Sequence, residues 1–133
     1  MGIELGKEID NVEIVDKVDL VVPVPLHKKK LKQRGYNQSE FIAIGVAKVL
    51  ECEMDTYLLK RLEHSESQTK KSKYERWENV GAAFTLTDAD QYIGKHILLV
   101  DDVVTTGATL EACCKKLGEI EGIKLSIGTL AFA

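Results

Sequence analysis

The stretch His96-Ile97-Leu98-Leu99-Val100-Asp101-Asp102 limits the possible folds more than any other part of the chain. Successive side chains on a strand point to opposite faces, so a strand wetted on one face alternates apolar and polar residues. Residues 97–100 are apolar at every position, as in a strand covered on both faces within a parallel sheet layered between helices. After the two acids come Thr105-Thr106-Gly107-Ala108-Thr109, all small or hydroxylated. Apolar residues at 110, 113, 114, 117 and 120 then follow a helical spacing, and Gly122 is placed to end that helix. The order is strand, acid pair, small-residue turn and helix, and the strand is expected to stop at the acids.

The same reasoning organises the rest of the chain. Residues 3–10 read as a short amphipathic helix and 18–24 as a buried strand stopped by Pro25. Apolar residues at 42, 46, 49 and 50 predict a helix over 38–51. Segments 56–62, 82–87, 96–101 and 123–133 read as strands. Between Pro25 and Gly35 lies a basic loop carrying Lys28, Lys29, Lys30, Lys32 and Arg34. The segment 63–81 is polar, has no apolar period, and exceeds the roughly 12–15 residues of ordinary connections, so it reads as functional or disordered. The alternation predicts an α/β fold, a doubly wound and largely parallel sheet flanked by helices, with residues 1–133 forming a single domain. Ligands of such sheets bind beyond the carboxyl ends of the strands, where both the acid pair and the basic loop lie.

Composition narrows the function. With 133 residues and 44% hydrophobic content, a core needs no disulfide or structural metal. A net charge of −3 argues against a general nucleic-acid binder and leaves only a local basic patch for such a role. The three cysteines, Cys52, Cys113 and Cys114, form no CxxC pair, which argues against a zinc ribbon and suits a reducing compartment. Cys113 and Cys114 read as core and helix-flank residues rather than nucleophiles. No signal peptide is visible, and no apolar run nears the roughly 20 residues of a membrane span. A cytoplasmic protein without membrane contact is expected.

The turn at 105–109 has its own chemistry. A loop entering a helix presents unpaired backbone N–H groups and the positive end of the helix dipole. Gly107 allows close approach or positive φ, and three threonines add hydroxyl donors. The combination suits a phosphate monoester, although the GxxxxGK[ST] spacing of a Walker loop is absent. Carboxylates repel phosphate but accept hydrogen bonds, so Asp101 and Asp102 suit the vicinal hydroxyls of a ribose, or Mg2+ and its bound waters. The implied ligand is a ribose 5-phosphate unit.

"ILLVDDVVTTGAT" resembles the phosphoribosyl-pyrophosphate motif of type I phosphoribosyltransferases. "VVPVPLHKKKLKQRGYNQSE", together with Arg61, Gln68, Arg76, Asn79-Val80 and Ala83-Phe84, is similar to the ComF-type, competence-associated branch, with RGYNQ the most telling string. Members of that branch commonly carry a cysteine-rich zinc segment ahead of the transferase domain. This sequence lacks it, as a truncated or shortened member would.

The resemblance implies a Mg2+-dependent transferase in which a nitrogen acceptor displaces pyrophosphate from phosphoribosyl pyrophosphate. Asp101 and Asp102 would bind ribose hydroxyls and, through ligand or water, Mg2+. Thr105, Thr106, Gly107, Ala108 and Thr109 would bind the 5-phosphate. Leu26, His27, Lys28 and Arg34 would face the pyrophosphate, while Lys29, Lys30 and Lys32 read as solvated surface. The 63–81 segment resembles the catalytic lid of the fold, with Gln68, Lys70, Lys71 and Arg76 as candidates to reach the pyrophosphate.

Two other readings stay open: a non-catalytic sensor of phosphoribosyl pyrophosphate or a nucleotide, and a competence-machinery module that binds a helicase or single-stranded DNA. Little chain remains to build the hood that selects the acceptor in this fold. Purine, pyrimidine and simple amine are therefore all open, as is a homodimer.

Overall fold

The computed structural model describes residues 2–10, 17–62 and 83–132. Along the chain run α1 (Gly2–Asp10), β1 (Leu20–Pro23), α2 (Lys28–Arg34), α3 (Gln38–Leu50), β2 (Glu53–Met54), β3 (Leu59–Arg61), β4 (Phe84–Leu86), a 3-10 turn (Ala89–Tyr92), β5 (His96–Val104), α4 (Ala108–Leu117) and β6 (Lys124–Phe132). Four strands form a parallel sheet in the order β2-β1-β5-β6, and β3 pairs antiparallel with β4 in a separate two-stranded sheet.

Strand periodicity divides the interior in two. Leu20 and Val22 of β1, with Ile97 and Leu99 of β5, face Leu110, Cys113 and Leu117 of α4 and Leu59 and Phe84 of the β3–β4 pair. Val21, Leu98 and Val100 face the other way, against Ile42, Ala43 and Val46 of α3. Burying each such Leu, Ile or Val contributes about 1.5–3 kcal/mol. The two-sided burial expected for residues 97–100 is therefore observed, and it places β5 at the centre of a three-layer α/β structure.

Helix α1 covers α3. A nine-residue helix is too short to hold itself in water, so its stability comes from contact. That contact is backbone against backbone: a Cβ on Gly45 would lie 2.6 Å from Ile3 N, and one on Gly2 would lie 2.3 Å from Ile42 O.

The structure differs from the expectations at four places. The predicted strand at 56–62 shrinks to Leu59–Arg61 and leaves the main sheet for β4. The main-sheet strand is instead Glu53–Met54, too short and polar to show a period. The basic loop is largely a helix, with Leu31 its only apolar residue; His27 Nδ1 caps its start by accepting from Lys29 N at 3.1 Å, and Gly35 ends it at φ 79°. Helix α4 stops at Leu117, where Gly118 N–H bonds Cys114 O at 2.8 Å. Ile120 reaches the core from the turn beyond, and Gly122, at φ 67°, shapes the approach to β6 rather than the helix end. Finally, β5 does not stop at the acids but continues to Val104.

Candidate functional site

The run-on of β5 creates the site. Pairing with β1 ends at Pro23 opposite Val100, closed by a Val24 N–H to Val100 O bond of 2.9 Å. Pairing with β6 continues to Val104 opposite Phe132. Asp101 and Asp102 therefore stand on a strand supported by a neighbour on one side only.

Their carboxylates replace part of the missing ladder. Asp101 Oδ1 accepts from Asp102 N at 2.9 Å, and Asp102 Oδ1 accepts from Val103 N at 2.8 Å. Asp101 Oδ1 also accepts from Ser39 Oγ at 3.0 Å. Thr129 Oγ1 of β6 donates to Asp102 O at 3.2 Å. Among the described residues, no N–H or O–H donor reaches Oδ2 of either acid, so each retains an acceptor. Burial pushes the Asp101 carboxyl above its usual range. The Ser39 hydroxyl and the Asp102 N–H oppose the rise, and the adjacent Asp102 carboxyl adds to it. An anionic site beside a second acid is stabilised by whatever donates to it, such as a sugar hydroxyl or a cation.

The turn after β5 encloses a shallow cavity of about 60 Å³ lined by Asp101, Val103, Val104 and the run Thr105–Leu110. A water needs only about 10–15 Å³ of such space, so the cavity has room for a small group such as a phosphate. Gly107 takes φ 80° at the N-cap of α4, a conformation that strains any side chain. Its carbonyl accepts Glu111 N–H at 2.9 Å, so Ala108, Thr109 and Leu110 are the first-turn donors without intrahelical acceptors. Thr106 Oγ1 takes the Ala108 N–H at 3.3 Å.

The structure thus gathers Asp101 and Thr105–Thr109 around one cavity, with Asp102 adjacent. Leu26 and His27 are partly buried between β1 and α2, and Lys28 and Arg34 are exposed on α2. No hydrogen bond or ion pair joins Arg34 to the acids. Gln68, Lys70, Lys71, Arg76 and the rest of the 63–81 segment lie outside the described residues. Cys113 is fully buried; burial, then Cys114 and Asp101, push its thiol up to about 12, against the pull of Arg61. That is the state of an inert core thiol.

Two residues were missed by the sequence reading of the site. Ser39, 4% exposed, is buried against Asp101; only its place in RGYNQSE marked it. Arg61 closes β3 with its guanidinium 5.6 Å from the Phe84 ring centre, and its buried Nε meets no acceptor among the described residues. The sequence marked Arg61 only as part of the branch pattern, where it follows a second cation, Lys60. Buried donors on charged groups are seldom left unpaired.

Among the described residues, no group of three or more His, Cys, Asp or Glu could hold a metal, and no helix is long and apolar enough to cross a membrane.

Comparison with known proteins places this geometry. Residues 37–133 match the phosphoribosyl transferase domain family. Competence protein F of Haemophilus influenzae is 30% identical over 116 residues, covering 86% of this chain and 51% of that protein. Competence protein ComFC of Bacillus subtilis is 36% identical over 106 residues, 78% of this chain and 40% of that one. DNA utilization protein YhgH of Escherichia coli is 36% identical over 92 residues, 69% and 40% respectively. The chain spans about half the length of these relatives or less. Among solved structures, a purine phosphoribosyltransferase from Pyrococcus horikoshii superposes with TM-score 0.64 at 16% identity, over 98% of this chain and 71% of that one. A glutamine phosphoribosylpyrophosphate amidotransferase from B. subtilis gives 0.60 at 20% identity, over 95% and 25%. At such identities the likeness is one of fold, but the matched domain covers most of the chain. The protein belongs to the phosphoribosyl transferase domain family, in its ComF-type, competence-associated branch.

Proposed function

We propose that this chain binds phosphoribosyl pyrophosphate with Mg2+ and transfers the phosphoribosyl group to a nitrogen acceptor. The observation that carries the reading is the pairing of two adjacent carboxylates, each with an oxygen that no N–H or O–H donor reaches among the described residues, with the small cavity at Thr105–Thr109. Asp101 and Asp102 accept from the ribose 2- and 3-hydroxyls, and the turn donates to the 5-phosphate. In the reaction a nitrogen lone pair forms a bond to C1 while the C1–O bond breaks. The pyrophosphate leaves with its electron pair, and the nitrogen loses its proton.

The donor set fits Mg2+ as a guest of the ligand. Two carboxylate oxygens fall short of the six an octahedral ion takes, and Mg2+ commonly completes its shell with phosphate oxygens and water. When bound, it would neutralise charge on the leaving pyrophosphate. Lys28 and Arg34, on the helix after β1, are placed by sequence position to assist at the same end.

The test is pyrophosphate release from phosphoribosyl pyrophosphate and Mg2+ over a panel of purine, pyrimidine and amine acceptors, beside calorimetric binding. Binding with turnover supports the transferase. Tight binding with no turnover on any acceptor moves the reading to a non-catalytic sensor. No binding at millimolar ligand removes both.

A second reading rests on another face. Leu31, Tyr36, Phe41 and Ile44, from 40% to 62% exposed, line a groove of about 250 Å³ beside the cations of α2. Tyr36 and Phe41 meet edge to face at 5.7 Å. Exposed aromatics beside a basic helix suit single-stranded DNA, whose bases stack and whose phosphates pair. The names of the competence and DNA-utilization relatives agree with that use. Salt-dependent binding of an oligonucleotide, weakened by Phe41→Ala, tests it.

A further inference from the structure

The string Arg34-Gly35-Tyr36-Asn37-Gln38-Ser39-Glu40 marks the branch, yet a role in the transfer reaction has been given only to Arg34. The structure connects its centre to the acid pair. Asn37 joins two elements: Nδ2 donates to Val24 O at 3.1 Å, just past the end of β1, and Oδ1 accepts Ser39 N–H at 3.1 Å as the N-cap of α3. The start of α3 is thereby fixed to the point where β1 stops pairing with β5. Ser39 lies in that first turn, 4% exposed, and its hydroxyl donates to Asp101 Oδ1 at 3.0 Å.

A buried hydroxyl without a partner is destabilising, and this one is directed at a carboxylate 62 residues along the chain. A carboxylate torsion about Cβ–Cγ is broad and two-fold. One backbone N–H from Asp102 restrains it weakly, whereas a second donor on the same oxygen defines which oxygen faces protein and which faces the cavity side. We propose that Ser39 is a positioning residue of the ribose site: with Asn37 setting its place, it holds Asp101 Oδ1 to the protein and presents Oδ2 to a sugar hydroxyl. The assignment rests on the reading of Asp101 as a ribose ligand. It gives the RGYNQSE string a structural task at a site it does not itself line.

The test is calorimetric titration of ribose 5-phosphate and of inorganic phosphate into wild type, Ser39→Ala, Ser39→Thr, Asp101→Asn, Asp101→Ala and the double variant Ser39→Ala/Asp101→Ala. Inorganic phosphate probes the turn alone, and ribose 5-phosphate probes turn and acids together. Ser39→Ala should weaken ribose 5-phosphate about tenfold, a part of what a hydrogen bond to a charged group contributes, and leave phosphate unchanged. Ser39→Thr, which restores the hydroxyl, should recover most of the loss. On the Asp101→Ala background, where Ser39 has no side-chain acceptor left, Ser39→Ala should cost nothing further, since its effect passes through the carboxylate.

Unchanged ribose 5-phosphate affinity in Ser39→Ala, or equal loss of both ligands, overturns the positioning role. If Asp101→Asn weakens the sugar phosphate while Ser39→Ala does not, only the Ser39 assignment fails. If wild type holds ribose 5-phosphate no better than phosphate, the ribose reading of Asp101 fails and takes this one with it. Should Ser39→Ala not fold, Ser39→Cys, with similar shape and a far weaker donor, carries the same comparison.

Discussion

Strand β5 has polar residues at both ends, and the two ends are built differently. At the start, His96 is buried and fully engaged. Its N–H bonds Asp19 Oδ2 at 2.9 Å, Nδ1 lies 3.2 Å from Lys17 O, and Nε2 lies 2.8 Å from Ser126 Oγ. A carbonyl only accepts, so Nδ1 carries a hydrogen, and Nε2 meets a hydroxyl that both donates and accepts. At the other end, Asp101 and Asp102 are half-buried, and each keeps one oxygen that no donor among the described residues reaches. Between them lie four apolar residues buried on both faces. Full satisfaction locks a strand end in place, whereas partial satisfaction, held in position by neighbours, leaves capacity for a ligand.

Mutations along β5 can break that contrast. The largest effect belongs to the middle: Leu99→Ala should cost about 2–5 kcal/mol in chemical denaturation, setting the scale for a site with no polar function. His96→Ala leaves Ser126 and the Lys17 carbonyl without their partner and should cost about 1–3 kcal/mol, with no effect on ligand affinity. A loss of ligand binding at equal stability would show that the two ends are coupled. Asp101→Asn keeps an acceptor for Ser39 and removes a charge that burial disfavours, so stability should stay within about 0.5 kcal/mol of wild type or rise. On the proposed function, the same variant should lose most of the stabilisation expected from phosphoribosyl pyrophosphate, about 2.7 kcal/mol at 100 times Kd, read as a melting shift. Marked destabilisation without ligand would make Asp101 a structural group like His96.

Asp55 sharpens the comparison, being fully engaged but less buried. Oδ1 accepts Tyr57 N–H at 2.7 Å and Leu58 N–H at 3.0 Å, and Oδ2 accepts the Tyr92 hydroxyl. Burial raises its carboxyl, but the Tyr92 hydroxyl and the two N–H groups outweigh that and hold it below its usual value. A lowered folded pKa contributes stability that is present above the unfolded value, about pH 4, and lost as pH falls through the folded one. Asp55→Asn should therefore be slightly less stable than wild type at neutral pH, with the difference closing in acid. Parallel melting curves at both pH values check this, and a difference constant with pH would rule out the carboxylate as its source.

The contrast also explains what could be read from the residues alone. Residues 97–100 disclosed a two-sided strand because burial on both faces requires apolarity at every position. Asp101, Asp102 and Thr105–Thr109 could be grouped because one strand-turn-helix unit carries them. The far end of β5 showed nothing: His96, Asp19 and Ser126 are distant in sequence, and each is an ordinary residue there. Ser39 was hidden for the same reason, since its partner lies on another element. Strand β2 was invisible because two residues carry no period, and β3 was assigned to the wrong sheet because propensity is silent on pairing partners. Local chemistry was legible, and contacts made by tertiary approach were not.

The early stop of β1 has a kinetic consequence. Amides from Ile97 to Val100 lie in a strand paired on both sides and should exchange with solvent deuterium only through large-scale opening. The amide of Asp102, which has no register partner on β6, is held instead by Asp101 Oδ1. Its exchange follows the swing of a carboxylate, a far smaller event than separation of strands. This position should therefore exchange faster than the strand it continues, and slow when a ligand immobilises the acids. The molecule thus carries, within one β-strand, an amide whose deuterium uptake reports occupancy of the neighbouring site while the rest of the strand reports global stability.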